Sequence, residues 1–96
     1  MKITARDRVD AALAGSVADR PPVALWRHFP GQDQTAPDLA AATAAWQREF
    51  PGDFVKFMPP GDYPTIDWGL RSVLHDAPSG TRKPIFHPVS DAADWR

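Results

Sequence analysis

The sequence has no cysteine, a single tyrosine and only two methionines. Without thiols these residues hold no disulfide framework, no thiolate nucleophile and no sulfur-ligated zinc. No window approaches the roughly 18 consecutive apolar residues of a membrane span. Met1-Lys2-Ile3-Thr4 runs straight into charged residues rather than an apolar leader, so the expected compartment is the cytoplasm. An excess of either charge is missing too. Eleven Lys and Arg against twelve Asp and Glu leave a net charge of −1, which gives nucleic acid or an anionic bilayer nothing to hold. The glycine-rich phosphate loops GxGxxG and GxxxxGKS/T do not occur, nor do the metal spacings HxH and HExxH. The expectation is a chain with no metal and no cofactor of its own.

What is present fits at most one small domain. Ninety-six residues carry four tryptophans, five phenylalanines and eleven prolines, and a chain this short needs nearly all its apolar groups in one core. Residues 4–14 read as a helix: Thr4 is a fitting N-cap, Asp7 lies in the first turn and Gly15 follows as a stop. Val9, Ala12 and Leu13 form its apolar stripe, with Arg6, Arg8 and Asp10 turned to water. After Asp19-Arg20-Pro21-Pro22, the run Val23-Ala24-Leu25-Trp26 is apolar on both faces, as in a strand of a covered parallel sheet, here residues 22–28. A second helix is expected over 37–50, with Leu39, Ala42, Trp46 and Phe50 on one face, ended by Pro51-Gly52. Residues 53–58 read as a second strand. Strand, helix and strand make a βαβ unit with parallel neighbours.

Beyond Pro59-Pro60-Gly61, residues 70–88 read as a β-hairpin insertion, with Arg71–His75 and Lys83–His87 as strands and Asp76-Ala77-Pro78-Ser79-Gly80 as the turn. A further helix is expected to begin over 91–96. Two parallel strands leave unpaired edges and uncovered apolar faces. The expected fold class is therefore α/β, the N-terminal fragment of a (β/α)8 TIM barrel, a fold that needs about 250 residues to close. The 96-residue chain alone is expected to be inactive.

Barrel active sites lie at the C-terminal ends of the strands, which shortens the list of candidate residues. Arg27, at the end of the first strand, offers a fork of donors to a substrate carboxylate or phosphate; the alternative is an ion pair with Asp53 or Asp62. Lys56 interrupts an apolar run and can bind an anion or serve as an amine base or nucleophile; the alternative is a structural pair or an outward stem. His28 suits proton transfer or substrate binding, against a packed imidazole. Asp62, above the second strand, is either a catalytic carboxylate or a turn aspartate bonding its own backbone. His75 and His87 lie on the hairpin away from any metal-ligand spacing.

Arg6-Asp7-Arg8-Val9, Ala11-Ala12-Leu13, Asp19-Arg20-Pro21-Pro22-Val23 and Leu25-Trp26-Arg27-His28-Phe29 together resemble the opening of uroporphyrinogen decarboxylase family proteins. Asp53-Phe54-Val55-Lys56 and Asp67-Trp68-Gly69 extend the likeness to most of the chain, which would correspond to the first quarter to third of the family's barrel. The resemblance implies a lyase of tetrapyrrole biosynthesis that decarboxylates acetate side chains without metal or organic cofactor. Arginines hold the substrate acids and an aspartate steadies the pyrrole N–H groups. Arg27 matches the first substrate arginine. Gly31 stands where the second is expected, and Met58-Pro59-Pro60 occupies the place of a Phe-Ser-Asp motif, with Asp62 two residues late. The implied partner is a small carboxylate substrate, and a homodimer of the full-length protein is one arrangement the likeness allows. Relatives in the same superfamily resemble corrinoid or coenzyme M methyltransferases, and a free-standing association module is the non-catalytic alternative.

Overall fold

The computed structural model describes residues 2–95. They form a small mixed α/β arrangement: α1 (Ala5–Leu13), α2 (Ala36–Glu49), a short α3 (Tyr63–Ile66), strands β1 (Arg71–Leu74) and β2 (Arg82–Phe86), and a 3-10 turn at Ala92–Trp95. The chain divides into two compact units. The first comprises the chain up to Arg27 together with Ala40–Met58; the second comprises His28–Leu39 and the chain from Pro59 onward.

In the first unit α1 starts with a reciprocal cap. The Thr4 hydroxyl accepts from the Asp7 N–H at 3.2 Å, and the Asp7 carboxylate accepts from the Thr4 N–H at 2.8 Å. The Thr4 N–H, and the Thr4 hydroxyl donating to Asp7 Oδ2 at 2.7 Å, hold the Asp7 carboxyl below its ordinary pKa. The helix ends in paired bonds, Gly15 N–H to Ala12 O and Ser16 N–H to Ala11 O, which require the left-handed Gly15 (φ +66°). Its inward face differs from the expected one. Ala12 and Leu13 are exposed, whereas Arg8, expected to face water, retains 15% side-chain exposure.

The reason is an ion network reaching across the sequence. Arg8 donates to both oxygens of Asp19 at 2.8 Å and to Asp53 Oδ1 at 3.0 Å. Arg20 also grips Asp53, through Nη1 to Oδ2 and Nη2 to Oδ1.

The strands expected over 22–28 and 53–58 do not form, and neither segment has regular secondary structure. The Val23 N–H donates to Asp53 Oδ2 at 2.9 Å, so that donor is taken by a side chain. A main-chain bond joins the segments, Asp53 N–H to Val23 O at 2.7 Å. Pro22 and Pro51 have no N–H to add to a ladder. The parallel βαβ pairing is therefore not formed among the described residues. Gly52 allows the close approach, since a Cβ there would lie 3.0 Å from Val23 O.

Helix α2 begins where Thr35 Oγ1 accepts from the Asp38 N–H at 3.2 Å, and it closes with Gln47 Nε2 donating to Gly52 O at 3.0 Å. Leu39 is the one buried large apolar residue among those described, at 4% exposure. Val23, Leu25, Trp26, Phe54, Val55 and Phe57 are each about half exposed.

In the second unit β1 and β2 pair antiparallel, with Leu74 opposite Arg82, Ser72 opposite Pro84 and an irregularity between Arg71 and Ser72. This is the hairpin position read from the sequence. Its turn relies on left-handed Gly80 (φ +71°), whose missing Cβ would sit 2.8 Å from Pro30 Cγ. The helix expected over 91–96 is one 3-10 turn, with Asp94 accepting from the Ser90 and Asp91 N–H groups. Those two bonds lower the Asp94 pKa. Arg96 lies outside the described residues.

Candidate functional site

The second unit holds a cavity of about 1030 Å³, lined mainly by apolar surface. Trp68, Leu70, Pro84, Val89 and Trp95 supply much of the wall, with His28, Asp33, Asp62, Arg82 and His87 among the groups that carry chemistry. The hairpin, the 28–39 segment and the loop after Pro59 each contribute, so the site is built by tertiary contact within this unit.

Asp62 is held by the hairpin. Ser72 Oγ donates to Asp62 Oδ2, and the Arg82 guanidinium lies 3.5 Å from the same oxygen. Arg82 Nε donates to Ser72 Oγ and Nη2 to Ser72 O, both at 2.8 Å, while Nη1 donates to Gln34 Oε1. Gln34 Nε2 in turn donates to Asp33 Oδ1 at 2.6 Å, and Asp33 is buried at 3% exposure. Asp62 Oδ1 is the exception. It is buried, on a side chain 12% exposed, and has no hydrogen-bond partner among the described residues. A buried carboxylate oxygen left without a donor is costly, on the order of 1–3 kcal/mol. Such a group calls for an explanation.

Of the residues singled out from the sequence, His28 and Asp62 line this cavity together. Arg27 and Lys56 belong to the first unit. The Arg27 guanidinium lies 5.8 Å from the Trp46 ring centroid, and Trp46 Nε1 donates to Leu25 O at 3.0 Å, fixing the segment that carries Arg27. The Lys56 ammonium sits 4.0 Å above the Trp26 ring, close enough for a cation–aromatic attraction. The two acids weighed as ion-pair partners for Arg27 are engaged by other residues: Asp53 by Arg8 and Arg20, and Asp62 by Ser72 and Arg82.

Sequence reasoning missed Ser72, Arg82, Gln34 and Asp33. One signal was available: Ser72 is a lone hydroxyl beside Val73 and Leu74, and Arg82 follows the turn on the partner strand. Cross-strand proximity makes such a pair worth testing. Among the described residues no group of three His, Cys, Asp or Glu is placed to hold a metal ion, and no helix is long and apolar enough to cross a membrane. No family model, curated protein or solved structure matches this chain.

Proposed function

We propose that this chain contributes substrate-binding machinery to a decarboxylase of the uroporphyrinogen decarboxylase type, acting on a carboxylate-rich tetrapyrrole or a related acid. The observation that carries the reading is the cavity of about 1030 Å³ with a buried, unpaired carboxylate oxygen on its lining residue Asp62. That volume is at the upper end of organic-ligand clefts, roughly 300–1,000 Å³. Its apolar walls suit a large ring system, and the unpaired oxygen, buried beneath that wall, would have to be uncovered to accept from a ring N–H. In this reading Asp62 steadies the ring as it is protonated, and His28 lines the same wall. Arg27 and Lys56 belong to the first unit and are not among the described residues that line this cavity.

The half-exposed apolar residues of the first unit favour a second reading, a module that associates through them. Binding of an octacarboxylate porphyrin, read by quenching of tryptophan emission, separates the two. Saturable quenching that weakens at least about tenfold in Asp62→Ala is expected, since a hydrogen bond to a charged group contributes about 1.5–3 kcal/mol. Absence of quenching, with concentration-dependent self-association on sedimentation, overturns the enzymatic reading in favour of the module.

A further inference from the structure

The four tryptophans of the chain divide by unit. In the first unit each indole has a cation of its own chain. The Lys56 ammonium lies 4.0 Å from the Trp26 ring centroid, and the Arg27 guanidinium 5.8 Å from that of Trp46. In the second unit Trp68 and Trp95 line one cavity and are 80% and 78% exposed. Among the described residues no cation, ring or hydrogen-bond partner engages either indole. The electron-rich faces that hold cations in one unit are therefore left open in the other.

The charge of the same wall indicates what those faces receive. Asp33, Asp62 and Asp94 stand there against a single Lys or Arg, Arg82. Arg82 is engaged by its own chain, with Nε and Nη2 donating to Ser72 and Nη1 to Gln34. Asp94 is the exposed acid of the three. Its Oδ2 accepts from the Ser90 and Asp91 N–H groups, and its Oδ1 accepts no hydrogen bond among the described residues. A ligand that joins positive charge to apolar bulk satisfies the acid and the ring faces together.

We propose that this cavity is a site for a small quaternary ammonium, received by the faces of Trp68 and Trp95 and by the Asp94 carboxylate. The inference is independent of the ring reading, since neither Asp62 Oδ1 nor any ligand N–H takes part. A quaternary ammonium spreads its charge over alkyl groups and has no hydrogen to donate. It can press against an indole face without leaving a donor unmet.

Choline is the probe, beside its uncharged carbon isostere, in which a tert-butyl group replaces the trimethylammonium. Binding to the 96-residue chain is followed by amide and indole N–H chemical shifts at about pH 8, where ordinary imidazoles are neutral. Choline is expected to bind at least about fivefold more tightly than the isostere. It should move the indole signals of Trp68 and Trp95 and leave those of Trp26 and Trp46 in place. Trp68→Leu combined with Trp95→Leu keeps apolar contact without the ring faces and brings the ratio close to one. Asp94→Asn keeps an acceptor for the Ser90 and Asp91 N–H groups and lowers the ratio at least about twofold. That variant carries the test where the paired leucine substitution disturbs the hairpin amides. Equal affinity for choline and the isostere overturns the proposal, as does failure of both to bind. So does a preference that survives Asp94→Asn, or the paired substitution with intact hairpin amides, or shifts confined to Trp26 and Trp46. Quenching by the octacarboxylate porphyrin without choline binding overturns this proposal and leaves the ring reading. Choline binding without that quenching does the reverse.

Discussion

Each unit is organised around one aspartate gripped by arginine, and the two aspartates differ in how fully they are used. In the first unit Asp53 receives donors on both oxygens: Arg8 and Arg20 on Oδ1, Arg20 and the Val23 N–H on Oδ2. Its side chain keeps 4% exposure. In the second unit Asp62 accepts from Ser72 on one oxygen, with the Arg82 guanidinium 3.5 Å away, and its other oxygen has no donor among the described residues. A carboxylate whose acceptor sites are filled by its own chain has a structural task. One left half-filled keeps a buried acceptor without a donor, a cost that its own chain does not offset. Arg8, Asp19, Arg20 and Asp53 form one ion network in the first unit.

The same isosteric change tests the contrast most strongly. Asp53→Asn must turn an amide NH2 toward an arginine or the Val23 N–H, donor against donor. It should lower the melting temperature, read by circular dichroism, more than any other substitution proposed for either unit. Asp62→Asn can keep its carbonyl oxygen toward Ser72 and place NH2 on the side where no donor stands. Its stability should change by no more than about 1 kcal/mol. Equal destabilisation by the two substitutions breaks the comparison.

Acid gives the next largest effect. The Arg20 guanidinium and then the Val23 N–H hold the Asp53 carboxyl down to about 2, against an ordinary value of 3.8. The Arg8 hydrogen bonds lower Asp19 as well. A group with a depressed folded-state pKa contributes stability that is fully present above its unfolded value and is lost as pH falls toward the folded one. Thermal melts should therefore be flat from pH 7 to about 5 and fall between about pH 4 and 2. Asp53→Asn should remove most of that slope. A slope unchanged in the variant assigns it to other carboxylates.

Two left-handed glycines, one in each unit, give smaller effects. Gly15→Ala meets open space and bears only the left-handed backbone penalty, about 1–2 kcal/mol. Gly80→Ala bears the same penalty and also drives a Cβ to 2.8 Å from Pro30 Cγ and 3.2 Å from its Cα. It should be the more damaging of the pair in urea unfolding, and the hairpin amides should move with it.

What the sequence disclosed follows from how far each determinant reaches. Thr4, Asp7 and Gly15 set α1 within a turn or two, and the 3-to-4 spacing of Leu39, Ala42 and Trp46 marks α2. Asp76-Ala77-Pro78-Ser79-Gly80 carries its own turn chemistry. All three elements lie where those local signals put them. Arg8 could not be read that way, since its Asp53 partner is 45 residues distant. The 22–28 segment reads as a strand because Val23-Ala24-Leu25-Trp26 has the composition of one, but composition does not reveal that Asp53 claims the Val23 N–H. At the cavity Asp62 was legible as a loop carboxylate, whereas Ser72 and Arg82 gain their meaning from hairpin register.

Arg6 and Arg8 reduce the comparison to two residues of one helix. Arg6 lies 3.6 Å from Asp10 with side chains 89% and 65% exposed, so water screens the pair and ordering the long side chain offsets what remains. Exposed pairs at this spacing contribute about 0.3–0.5 kcal/mol. Alanine also has the higher helix propensity. Arg6→Ala should therefore shift the urea midpoint by little more than the error of measurement, with the same result in high salt. Arg8→Ala strips Asp19 of its paired donor and Asp53 of one of its cations, and should cost far more. If the two substitutions cost the same, partial burial of the Arg8 network adds nothing to its strength. Asp53 would then hold the first unit together through the Val23 N–H and Arg20 alone.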